Sequence, residues 1–182
     1  MRRTMSVAAL VTALAAGAGA QQKPPEVPKP GAEQKNLAIF AGTWKMQGKV
    51  EASPMGPAGT MTGTETCRML EGGWHLVCES SGNGPWGPMK GYSILSYDRA
   101  AKQYRIFAVN SAMPDADLST GIKKGSTWTW TSKMDMGGGK TMHSRFVIIE
   151  KSPTVHAYTW EMSEDGKTWK KAMEGTSTKS GS

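Results

Sequence analysis

The sequence is short of most of what would identify an enzyme. It has two cysteines and three histidines in 182 residues. The histidines stand alone, without a zinc ligand spacing, and no Gly-x-Ser-x-Gly elbow occurs. "GGGK" lacks the spacing and the Ser or Thr of a phosphate loop. "GNGPWG", Gly82 to Gly87, has the spacing of a dinucleotide fingerprint. No helix pattern follows it, however, and Pro85 and Pro88 make it a loop. Helical periodicity is nearly absent, and beyond residue 20 no apolar run approaches a transmembrane span. Positive charge is in excess, at +7, but spread out, with Lys123-Lys124 and Lys170-Lys171 the densest spots. A nucleic-acid surface would need a basic stripe with stacking aromatics, so that class is excluded.

What is present begins with an export-type leader. Arg2 and Arg3 precede "SVAALVTALAAGAGA", an apolar segment too short for a span, which closes on Ala18-Gly19-Ala20. This is the pattern of a cleaved secretory signal. No Cys follows the cleavage point, and "RRTMSV" lacks the rest of a twin-arginine motif. Cleavage would remove two of the 22 basic residues and none of the 15 acids, leaving 162 residues at about +5. Periplasmic or secreted localisation after cleavage near Ala20 follows. Residues 21–32 contain four prolines and read as an extended linker. The folded domain is expected over 33–178, with 179–182 as a frayed tail.

From Glu33 a single turn or two of helix fits "AEQKNLAIF". Short strands follow. Trp44, Met46, Gly48 and Val50 alternate with Lys45, Gln47, Lys49 and Glu51, the period of a sheet with one dry face. "TMTGTETCRML", "WHLVCES", "MKGYSILSYD", "QYRIFAVNS", "LSTGIKKG", "TWTWTSKM", "KTMHSRFVIIE", "TVHAYTWEM" and "TWKKAMEGTS" repeat the pattern between hairpin-length loops. About ten meandering strands must dispose of their edges, and closing into an antiparallel up-and-down barrel does so. A sandwich is the alternative; the absence of a long crossover favours the barrel.

Cys67 and Cys78 flank "RMLEGGWHLV". With Gly72-Gly73 as the centre of a tight hairpin, Met69 faces Leu76 and Cys67 faces Cys78. Directly opposed strand residues are close enough for a disulfide, and export would supply an oxidising compartment. The alternative is a pair of small core residues.

Three stretches, "PKPGAEQKNLAIFAGTW", "GYSILSYDRAAKQY" and "EMSEDGKTWKKAMEG", occur in an order and spacing that resemble a bacterial family of unknown function, domain-of-unknown-function 1579. The resemblance spans nearly all of the chain beyond the leader. It implies a lipocalin-like antiparallel barrel, often exported, and no established activity. Gly42 and Trp44 also resemble the Gly-x-Trp opening of lipocalins. There the Trp plugs one end and a basic residue of the last strand covers it; Lys171 is placed for that part.

Alternation groups Trp128, Trp130, Ser132 and Met134 on one inner face, and His156, Tyr158, Trp160 and Met162 on another. Glu65 shares its face with Cys67 and Met69. Glu65, Trp128, Trp130, His156, Tyr158 and Trp160 are therefore the candidate lining of a lumen that binds a small apolar or aromatic molecule. The competing reading is a filled aromatic core, in a barrel that acts through its surface on another protein. "KMDMGGGKTMH" brings Met134, Met136, Met142 and His143 near one hairpin tip, a donor set suited to Cu(I). Methionine is also a common gap filler. Haem through His75, His143 or His156 rests on single histidines of distant strands. Glu65 with His156 would be the acid–base pair of an enzyme, though nothing in the spacing requires it. Asp165 and Gly166 form the tip of "SEDGK", with Trp169 packed beneath. Composition identifies no cofactor and no oligomeric state.

Overall fold

In the computed structural model, residues 28–53 and 56–180 are described. The expected signal segment and most of the Pro-rich lead-in lie outside them. The chain opens with a single helical turn, α1 (Ala32–Asn36), continued by the 3-10 turn Leu37–Phe40. Ten strands follow: β1 (Gly42–Val50), β2 (Gly59–Met69), β3 (Leu76–Gly84), β4 (Gly87–Asp98), β5 (Gln103–Asn110), β6 (Asp117–Lys124), β7 (Thr127–Asp135), β8 (Thr141–Ser152), β9 (Val155–Ser163) and β10 (Lys170–Lys179). Each pairs antiparallel with its sequence neighbours, and β1 pairs with β10 to close the ring. Among the described residues no helix is long and apolar enough to cross a membrane.

The β1 alternation is realised as written: Trp44 and Val50 are buried, Met46 and Gly48 face inward, and Lys45, Gln47 and Lys49 face solvent. The outer surface is less uniformly wet. Ile94, Phe107 and Leu118 are all exposed and stand in direct register across β4, β5 and β6.

Register between β2 and β3 sets Met69 against Leu76 and Cys67 against Cys78, and the two cysteines form a disulfide. The connecting turn is longer than the two-residue loop expected. Gly73 N–H donates to the Leu70 carbonyl, Leu70 N–H donates to the His75 carbonyl, and both glycines have positive φ, +87° at Gly72 and +72° at Gly73. A four-residue loop over 71–74 has the same midpoint as a two-residue loop at 72–73. The register therefore survives the change of turn.

The helical lead-in plugs one end of the barrel. Leu37 and Phe40 are buried against Cys67, Leu76, Cys78, Leu95, Tyr104, Trp128 and Trp130. Asn36 Nδ2 donates to the Tyr104 hydroxyl at 3.1 Å, and Trp44 Nε1 donates to the Phe40 carbonyl at 2.8 Å. The other end holds a smaller cluster of Met142, Met162 and Ala172, with Met134 and Trp160 packed on it.

Two expectations are corrected at the last strand. Lys171 does not cover Trp44. The register pairs Trp44 with Lys179 and leaves Lys171 at the far end of β10; a bulge between Lys171 and Met173 also turns Lys171 outward, where it pairs with Glu174 at 2.8 Å. Lys179 lies over Trp44 instead, its Nζ 5.5 Å from the ring centroid. Lys179 and Ser180, expected in a frayed tail, are held. Lys179 N–H donates to the Thr154 carbonyl and Ser180 N–H to the Thr43 carbonyl.

Candidate functional site: a small cavity in the barrel wall

The barrel is filled over much of its length, and a cavity of about 120 Å³ lies among the described residues on the side built by β1, β2, β8, β9 and β10. Its lining follows from the ladders. Trp44 stands beside Glu65, Met46 beside Ser177, and Ser177 beside His156. Gly48 lies between Met61 and Gly175, and Gly175 faces Tyr158. Phe146 and Ile148 complete the wall from β8, and Phe40 and Met173 also reach the cavity.

Glycine makes the space for Tyr158. A Cβ at Gly175 would overlap the Tyr158 ring and the Gln47 carbonyl, and one at Gly48 would stand 2.7 Å from the Tyr158 hydroxyl. The ring lies across these two backbones, and its hydroxyl donates to the Gln47 carbonyl at 3.1 Å. Burial pushes the phenol up to about 12, so it remains a neutral donor.

His156 stacks on Trp44 with centroids 4.2 Å apart and meets Phe40 edge-on. Burial drives its imidazole toward the neutral form. Glu150 opposes that effect and Lys179 adds to it. The buried His156 Nε2 has no hydrogen-bond partner among the described residues.

Two glutamates face inward and differ sharply. Burial raises the Glu150 carboxyl, but the Lys123 ammonium at 2.8 Å and the Trp128 indole N–H at 2.6 Å outweigh it and hold the group low. Glu65, on the cavity wall, receives neither hydrogen bond nor ion pair from the described residues. Burial alone pushes its carboxyl up to about 6. Its oxygen lies within 4.8 Å of the Cys67 and Cys78 sulfurs. Those sulfurs are bonded to each other and offer no thiolate to a metal.

The six aromatic and acidic candidates therefore fall in three places. Glu65, His156 and Tyr158 line the cavity. Trp128 and Trp130, stacked 5.9 Å apart, belong to the filled core, where Gly121 leaves room for the Trp130 ring. Trp160 packs with the second cluster and donates to Ser144 Oγ at 2.7 Å. Of the thioether set, Met134 pairs across strands with Met142 in that cluster. His143 points to the opposite face, beside Gly166 and Trp169, and Met136 is exposed. The four donors do not converge. Asp165 accepts from the Lys167 and Thr168 N–H groups and from the Ser163 and Thr168 hydroxyls, which hold its carboxyl well below the usual range. Trp169 stacks on the Arg145 guanidinium at 4.2 Å.

The sequence reading missed Met46, Met61, Phe146, Ile148, Met173 and Ser177. Alternation along each strand marks most of them as inward. What singles them out is the ring closure, which brings β1 between β2 and β10.

Residues 29–179 match the model of a family described as "Protein of unknown function (DUF1579)". The chain belongs to this family. Family membership and the closed ring agree with the lipocalin-like reading made from the three sequence stretches. No curated protein matches the chain. Among solved structures, the S-type phycobiliprotein lyase CPES from Guillardia theta is similar in fold. Its TM-score is 0.57 at 10% identity, covering 82% of this chain and 93% of that one. Rv2717c from M. tuberculosis gives a TM-score of 0.56 at 10% identity, covering 83% and 99%. At such identities the likeness is one of fold.

Proposed function

We propose that this DUF1579 protein binds a small molecule, largely apolar or aromatic, inside its barrel. The observation that carries the reading is the cavity of about 120 Å³ lined by Trp44, Phe146, Ile148, Tyr158 and three methionines, with Glu65 on its wall and His156 Nε2 without a hydrogen-bond partner among the described residues. An apolar cavity of about 150 Å³ accepts benzene, whereas drug-sized sites start at about 300 Å³. The ligand is therefore about the size of one ring.

The leader at residues 1–20 supports an exported, periplasmic or secreted protein, and the Cys67–Cys78 disulfide fits an oxidising compartment.

Native mass spectrometry of protein purified without unfolding, compared with its denatured mass, tests the binding. An organic adduct lost on denaturation is the expected result. A bare native mass, together with Trp fluorescence unmoved by single-ring aromatics, would overturn it. The denatured mass also shows whether cleavage precedes Gln21.

A further inference from the structure

Glu65 is a carboxylate set into an apolar wall with no hydrogen-bond donor among the described residues. The contrast with Glu150 in the same barrel shows how this fold treats an inward carboxylate it means to keep for itself: Lys123 and Trp128 close around it. The titratable groups on the elements packed around Glu65 do not do this for it. His156 and Tyr158 of β9 are held neutral by burial, and Glu150 of β8 is engaged. Lys179 of β10 is stacked on Trp44. Among the described residues no lysine or arginine lines the cavity.

An anionic oxygen in such a place is complemented by a positive charge or a strong donor on the ligand. The rest of the lining suits the body of a cation. Phe40, Phe146 and Tyr158 bring aromatic rings to the lining, and aromatic rings attract cations, while Met46 and Met61 offer polarizable sulfur. Resting on the lumen-binding reading, we infer that the cavity selects a small organic cation, a protonated amine of about one ring's size. Its ammonium group bonds the Glu65 carboxylate, and its carbon skeleton lies among Trp44, Phe146 and Tyr158. The second unpartnered group, His156 Nε2, is an acceptor or donor for a further polar hydrogen or lone pair on the same ligand.

The test is a matched set of probes, benzylamine, benzyl alcohol and toluene, titrated calorimetrically into the folded full chain at pH 7.5. Benzylamine is expected to bind about tenfold or more tightly than either neutral probe, the scale of a hydrogen bond to a charged group. In Glu65→Gln, an isosteric change that removes a buried charge, that preference disappears: benzylamine binds no more tightly than the two neutral probes do to the same variant. In the wild type the benzylamine advantage also shrinks at pH 5, where the carboxyl takes up its proton. If benzyl alcohol or toluene equals benzylamine at pH 7.5, the cation inference is overturned and the lumen reading stands. If the preference survives in Glu65→Gln, the carboxylate is not the recognising group and the inference falls. If none of the three binds, the lumen reading falls with it.

Discussion

Lys179 and Trp44 meet across the seam that closes the barrel. The ammonium of the last strand's final residue lies 5.5 Å from the indole centroid of the first strand. A second ring neighbour is His156, stacked at 4.2 Å. Trp44 is thus packed by both a cation and an imidazole, and its indole N–H is fixed to the Phe40 carbonyl. Lys179→Ala is expected to destabilise the protein by about 0.5–1 kcal/mol, read as a lower urea midpoint, while Lys179→Arg retains wild-type stability. An unchanged midpoint in Lys179→Ala would assign the cover no energetic role.

Gly175 is required by its neighbours. Adding one methyl group there drives Tyr158 off β1 and β10, since the Gln47 carbonyl on the other side cannot yield. Gly175→Ala should cost about 1–3 kcal/mol, the range for overpacking a filled interior. Equilibrium denaturation measures it, and a cost near zero would mean that Tyr158 does not lie where the structure puts it.

Glu65 makes stability depend on pH in the direction opposite to most carboxylates. Its folded value, about 6, is above the ordinary 4.5, so the folded protein holds this proton more firmly than the unfolded chain. The contribution is fully present below pH 4.5 and is lost as the pH rises through 6. Removing the charge by Glu65→Gln should therefore stabilise by about 2 kcal/mol at pH 7.5 and by almost nothing at pH 4. Paired urea curves at the two pH values give the difference. A gain that is equal at both would sink the assignment.

The Cys67–Cys78 bridge closes a short loop, with the two cysteines 11 positions apart. On the chain-entropy account its removal costs about 3 kcal/mol. Cys67→Ser with Cys78→Ser should lower the thermal midpoint relative to the oxidised wild type, and the wild type under reductant should fall to match. A reductant-insensitive wild type would show that the bridge is shielded by the core around it.

All ten strands and the ring they form could be read in the sequence, because period-2 alternation and hairpin loops are local signals. The β2–β3 register was legible even though the turn was not, because Cys67 and Cys78 are symmetric about the same midpoint in either loop. The lipocalin resemblance alone points to Lys171, and it does not fix the register of β10 on β1; that register sets Lys179 beside Trp44, and a bulge that no residue type marks turns Lys171 outward. The site was legible only in part. Alternation tells that Trp128 and Tyr158 both point inward, but not which is covered by Leu37 and Phe40 and which faces empty space. That difference depends on where the helical lead-in docks, a long-range fact that no window of a few residues contains.

The pairing of β1 with β10 has a temporal consequence. During synthesis the first strand leaves the ribosome more than a hundred residues before its second partner does, and the wall of the cavity between them cannot exist until the ten residues of β10 are available. Such distant pairing folds slowly. Until β10 arrives, the nascent chain is an open ribbon with two unprotected edges. A chain cut before Lys170 would lose Met173 and Ser177 from the cavity, and with them the seam that joins its beginning to its end.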